Sequence, residues 1–185
     1  MPMRRIIGIA AAILIAASAF AENTDENNPR RIAIWGSSVA NGTGDELWKG
    51  GYAGRLEELL ESPGWEVFNQ SHPGDNTTTI QSRFEPGDTP DAAARYLTVV
   101  DPDYVVIGLS LGNDGIAQCQ LGQTEGCTIT ATEAEAVFER FASGLQQLIT
   151  RVRAAGMTPV VTLPYARLDF SEREYGFTRR MNLLI

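Results

Sequence analysis

Short apolar runs alternate with stretches whose apolar residues recur every three or four positions. Runs at Ile32–Trp35, Trp65–Asn69, Tyr104–Leu109 and Thr158–Leu163 predict four β-strands. After the first, Tyr52, Leu56, Leu59 and Leu60 share one face of a predicted helix that stops near Pro63-Gly64. The segments Thr77–Phe84 and Asp91–Leu97 follow the second strand, and Asp101-Pro102-Asp103 turns the chain into the third. Tyr104–Leu109 is apolar throughout, as a strand covered on both faces must be, and is the predicted centre of the sheet. The longest helix is predicted to start at Thr132 with Glu135 as its capping box. Val137, Phe138, Phe141, Leu145, Leu148, Ile149 and Val152 form its buried stripe, and Gly156 ends it. Ser171 and Glu174 cap a last helix, predicted to be still running at Ile185. Strands alternating with helices imply an α/β fold: a parallel sheet between two helical layers.

The ends of the chain change the compartment rather than the fold. Arg4-Arg5, the apolar run Ile6–Ala17 and the small residues of Ala19-Phe20-Ala21 have the form of a secretory signal over residues 1–21. Read as a membrane anchor, the apolar run falls short of the roughly 20 residues a span requires. The expected location is therefore periplasmic or extracellular, with no stable membrane insertion after cleavage. Residues 22–30 are polar and read as a flexible lead-in, and residues 31–185 as one domain. Losing Arg4 and Arg5 takes the formal charge from −8 to −10, and no basic cluster offsets it. A phosphate backbone needs a positive surface, so nucleic acid is excluded as an expected partner. Cys119 and Cys127 are the only cysteines, and in an exported chain they read as a disulfide closing a short ring, worth about 2.5 kcal/mol in the chain-entropy model. Two thiols without a nearby histidine are a poor metal set, and no metal or cofactor is expected.

In open α/β sheets ligands bind beyond the carboxyl ends of the strands. Three such loops carry chemistry: Gly36-Ser37-Ser38-Val39-Ala40-Asn41-Gly42, Asn69-Gln70-Ser71-His72-Pro73-Gly74-Asp75-Asn76, and Ser110-Leu111-Gly112-Asn113-Asp114-Gly115. A serine in a tight strand-to-helix turn presents its hydroxyl where backbone N–H groups can receive an oxyanion. Taken singly, each loop has a plainer reading. Gly-Ser-Ser also suits an ordinary turn or a phosphate cradle, Gly74 a turn needing positive φ, and Asn113 a cap. No G-x-x-x-x-G-K-[ST] run is present, which removes the P-loop.

Together the three loops resemble the SGNH or GDSL hydrolases, serine esterases with a three-layer, flavodoxin-like α/β/α sandwich. Gly36-Ser37-Ser38 matches the family's Gly-Asp-Ser block, with Ser37 in place of aspartate. Gly74 matches the glycine of the second block, and Gly112-Asn113-Asp114 the Gly-x-Asn-Asp of the third, with the intervening residue missing. The resemblance implies Ser38 as nucleophile and an oxyanion hole from the Ser38 and Gly74 N–H groups and the Asn113 side chain. The family's Asp-x-x-His block, which supplies the base and its orienting acid, has no match in residues 1–185, so this catalytic pair is not present here. The expectation is of a chain cut short, its last strand missing, and inactive or nearly so. His72 is the only histidine and reads as a loop-supporting residue, with a catalytic role as the alternative. Asp75, Asp114 and Asp169 read as caps or surface charges.

The resemblance implies an exported carboxylic-ester hydrolase acting on a small-molecule or glycan ester. The alternatives are a non-catalytic glycan- or ester-binding module on the same fold and a flavodoxin-like nucleotide binder. The segment Gln118–Thr130 is placed by sequence beside the third loop as a wall of the pocket.

Overall fold

A computed structural model describes residues 29–60, 64–88, 95–116, 129–166 and 170–185. The predicted signal and most of the lead-in, Cys119 and Cys127 with most of the Gln118–Thr130 segment, and Asp169 lie outside them. Four parallel strands form one sheet: β1 (Arg30–Gly36), β2 (Trp65–Asn69), β3 (Tyr104–Gly108) and β4 (Thr158–Val161), in the order β2-β1-β3-β4. β1 starts one residue inside the expected lead-in, because Arg30 pairs with Trp65 and its N–H donates to the Gly64 carbonyl. The sheet interior is shared by β3 and β1, and Ile32 to Gly36 of β1 are all buried.

Alternation along the strands separates two cores, as a period of two requires. Ala33 and Trp35 lie beside Val105 and Ile107 and face the first core. That core is closed by α4 (Ala131–Ala154) and α5 (Glu172–Asn182), with a 3-10 helix at Thr79–Arg83 and the single turn α3 (Leu97–Val100). Ile32 and Ile34 lie beside Tyr104 and Val106 and face the second, closed by α1 (Ser38–Asn41) and α2 (Gly51–Leu59). The result is the expected α/β/α sandwich.

Three local expectations are corrected. Leu59 is 69% exposed, because Tyr52, Leu56 and Leu60 at four-residue spacing already fill the face of α2 that meets the sheet. The cap of α4 is Thr130 with Glu133, two residues before the predicted pair. The Glu133 N–H donates to Thr130 Oγ1 (3.2 Å), and the Glu133 carboxylate accepts from the Thr130 N–H (2.7 Å). Two overlapping Thr-x-x-Glu runs compete there, and Glu135 of the second is taken by Arg180 of α5 at 2.8 Å. The last helix does not run on to Ile185 but closes at Asn182. Leu183, Leu184 and Ile185 are exposed, so no core contact holds a further turn. Its predicted cap, Ser171 with Glu174, is formed. Among the described residues no helix is long and apolar enough to cross a membrane.

Candidate active site

The chain reverses its direction of winding between β1 and β3, and at this switch point the carboxyl ends of neighbouring strands open a crevice. The Ser38, Gly74 and Asn113 loops follow β1, β2 and β3, three adjacent strands, so the topology sets them side by side. Hydrogen bonds then tie them together. The Ser37 N–H donates to the Gly108 carbonyl (3.2 Å), and the His72 N–H to the Gly36 carbonyl (3.0 Å). Asn41 Nδ2 donates to the Ser71 carbonyl (3.1 Å), and Asn113 Nδ2 to the Asp75 carbonyl (2.8 Å). Neither Asn41 nor the direct bond from Asn113 was anticipated from sequence.

The two serines of the first loop have different surroundings. Ser37 is the N-cap of α1 and fully buried, and its Oγ shares a 3.0 Å hydrogen bond with Tyr165 Oη. Ser38 is the first helical residue and only half-buried. The N–H groups of a first helical turn have no partner within the helix, and that of Ser38 is one of them. Tyr165 follows β4, at the carboxyl edge of the same sheet. Reading the loop after the fourth strand as the first three were read would have found it.

Gly74 has φ 89°, a conformation that side-chain-bearing residues rarely adopt, and the space where a Cβ would stand is open. It belongs to a turn closed by the Asp75 N–H on the His72 carbonyl (3.2 Å). Asn113 lies in the turn after β3, its N–H on the Ser110 carbonyl (3.2 Å). One of its two amide hydrogens goes to Asp75, and the other has no acceptor among the described residues.

Asp75 and Asp114 are not surface charges. Asp75 is buried in an ion pair with Arg83, which also donates to the Gln70 carbonyl at 2.7 Å. Burial pulls the Arg83 guanidinium down to about 10, with Arg95 nearby adding to the effect, which leaves it charged at neutral pH. Asp114 accepts from the Thr77 hydroxyl and N–H. Burial pushes its carboxyl up, an effect the Thr77 bonds and Arg140 only partly offset. Both carboxylates thus brace the Gly74 and Asn113 loops. His72 Nδ1 stands 4.0 Å from Asp75 Oδ1, beyond hydrogen-bond distance, and its side chain is 63% exposed.

Beneath the first loop, Tyr52 of α2 inserts its hydroxyl between β1 and β3. A Cβ on Gly108 would lie 1.7 Å from this oxygen, and one on Gly36 2.9 Å from it, so both strand-end glycines are needed for the close approach. The Tyr52 hydroxyl is buried without a hydrogen-bond partner among the described residues, and burial together with nearby Tyr165 pushes its phenol well above the ordinary range.

A doubly wound parallel sheet with a serine turn, a glycine turn and an asparagine turn on three adjacent strand ends defines a hydrolase of the SGNH type. The sequence profile of the GDSL-like lipase/acylhydrolase family matches residues 34–184, and the chain belongs to that family. Solved structures agree on the fold. An acetyl xylan esterase, AlAXEase, superposes with a TM-score of 0.57 at 18% identity, over 84% of this chain and 70% of its own. A putative G-D-S-L-family lipolytic protein from Desulfitobacterium hafniense gives 0.58 at 14% identity, over 88% and 71%. The psychrotrophic esterase EstA from Pseudoalteromonas sp. gives 0.54 at 17%, over 84% and 70%. No curated protein matches the chain.

Proposed function

We propose that this chain is an exported carboxylic-ester hydrolase, working through an acyl-enzyme on Ser38 and taking a small-molecule or glycan ester. The observation that carries the reading is the division of labour between the two serines: Ser37 is buried on Tyr165, while Ser38 is half-exposed at the start of α1. Ser38 Oγ attacks the ester carbonyl carbon and loses its proton to a base. The carbonyl oxygen becomes an oxyanion held by the Ser38 and Gly74 N–H groups and Asn113 Nδ2. Collapse expels the alcohol, and water then releases the acid from Ser38. Acetylated carbohydrate is a fitting substrate class, since one protein of this fold is an acetyl xylan esterase.

The base is the weak point of residues 1–185. His72 is the only histidine, and its exposed ring and loop-bridging backbone favour a supporting role. Loss of the histidine costs a serine protease about 10⁶ in turnover, so slow acylation is the expected behaviour of this chain alone. The test is p-nitrophenyl acetate with imidazole supplied as an external base, comparing the chain with Ser38→Ala in the same buffer and following the acetyl adduct by peptide mass. A Ser38 adduct that disappears in the variant supports the proposal; equal rates and no adduct refute it. Export is tested separately by N-terminal sequencing of protein recovered outside the cytoplasm, with Glu22 expected first.

A further inference from the structure

The loop between α1 and α2 holds Trp48 almost entirely in solvent, 93% exposed, with a left-handed backbone at φ 54°. A bulky residue seldom keeps that conformation, and such outliers gather at ligand sites. The loop is braced rather than slack. The Asp45 carboxylate, 8% exposed, accepts from the N–H groups of Leu47 (3.2 Å), Lys49 (3.0 Å) and Gly51 (3.0 Å) and from Arg55 (2.8 Å), and the Trp48 N–H closes on the Asp45 carbonyl (3.0 Å). The backbone that carries this exposed indole is therefore held by a hydrogen-bonded turn.

Trp48 caps a cleft of about 680 Å³ between α2 and β2. Trp48, Trp65 and Phe68 line it together with Glu57, Glu58 and Glu66; Trp65 faces the second core beneath α2, and alternation along β2 turns the side chains of Glu66 and Phe68 to the opposite face. This mixture selects among ligands. An acyl chain would strip water from the carboxylates of Glu57 and Glu58 and return no hydrogen bond. An anion meets those same carboxylates on a chain of net charge −8. A cationic peptide finds Glu58 already engaged by Lys49 at 2.6 Å. A neutral polyhydroxylated ring suits all of it: its C–H face lies on an indole, and its hydroxyls donate to carboxylate oxygens.

We propose that this cleft is a carbohydrate-binding site separate from the Ser38 loops, with Trp48 stacking on a pyranose ring and Glu57 accepting its hydroxyls. β-Linked chains with equatorial hydroxyls present the flat C–H faces such a platform needs. The full chain is titrated calorimetrically with xylohexaose and cellohexaose. Saturable binding of at least one is expected, weakened tenfold or more in Trp48→Ala and severalfold in Glu57→Gln. Trp48→Ala should unfold at the wild-type midpoint, since the ring buries almost nothing. Absence of binding to both sugars overturns the proposal, as does undiminished binding by Trp48→Ala. Trp48-dependent binding to phosphatidylcholine vesicles without sugar binding overturns it in favour of a lipid surface. The proposal stands apart from the esterase reading: Ser38→Ala is expected to bind sugar like the wild type, and sugar binding without Ser38 acylation would sink only the esterase reading.

Discussion

Gly108→Ala is the sharpest test of how the sheet accommodates the helix beneath the Ser38 turn. The new methyl carbon would stand 1.7 Å from the Tyr52 hydroxyl oxygen, half of an ordinary contact distance. The ring has little room to retreat. It is packed on the second core with its hydroxyl buried, and Thr162 Oγ1 stands 3.4 Å from the new carbon. Overpacking of a core costs about 1–3 kcal/mol, and a clash this deep against two strands belongs at the upper end. For a domain of this length, about 3 kcal/mol lowers the melting midpoint by roughly 6–12 °C. Tyr52→Phe removes the colliding oxygen, which is itself a buried group without a partner among the described residues. Alone, that variant should be neutral or more stable by about 1 kcal/mol. In the double variant the nearest ring atom is Cζ at 2.9 Å, still inside contact distance but a far smaller overlap than that with the oxygen, so the ring must shift and part of the cost remains. The two substitutions should therefore couple by about 2 kcal/mol in a urea-denaturation cycle followed by circular dichroism. A Gly108→Ala cost below about 0.5 kcal/mol, or strict additivity in the double variant, would refute this packing.

Other consequences are as specific. Asn113→Ala removes the donor to the Asp75 carbonyl, so denaturation should show a loss of about 1 kcal/mol, and imidazole-assisted acylation of Ser38 should fall about 10²-fold as an oxyanion donor disappears. Thr130→Ala should cost about 1 kcal/mol, and Thr132→Ala almost none, in the same denaturation assay; the reverse order would restore the cap predicted from sequence. The raised Asp114 carboxyl means that the folded state binds its proton more tightly than the unfolded chain does. Its contribution is full below the ordinary value of 3.8 and is lost as pH rises through the folded value, so Asp114→Asn should flatten the stability profile across that window. An unchanged slope would show that Asp114 titrates alike in both states.

Much of the fold was legible because it rests on local periodicity. The run Trp65–Asn69 coincides with β2, and every residue of the predicted stripe Val137–Val152 packs in the first core. The serine, glycine and asparagine loops were also legible, since strand-end position and residue type are properties of the chain alone. Local pattern was insufficient where two solutions compete. Thr130 and Thr132 both begin a Thr-x-x-Glu run, and only the docking of α5, which brings Arg180 to Glu135, separates them. Leu59 is as apolar as Leu60, but the sheet has room for one of them.

The site divides along the same line. Sequence alone marked Ser38, Gly74 and Asn113 and the family they evoke, because those depend on residue type and spacing. The tertiary structure decided that Ser37 turns inward to Tyr165, 128 positions away, and that Asp75 and Asp114 brace loops instead of facing solvent. It also set Asn113 on the Asp75 carbonyl and Tyr52 between two glycines of neighbouring strands. Each of these is a contact between segments distant in the chain. Hydrophobic periodicity records which side of an element is buried, but not which partner will be found there.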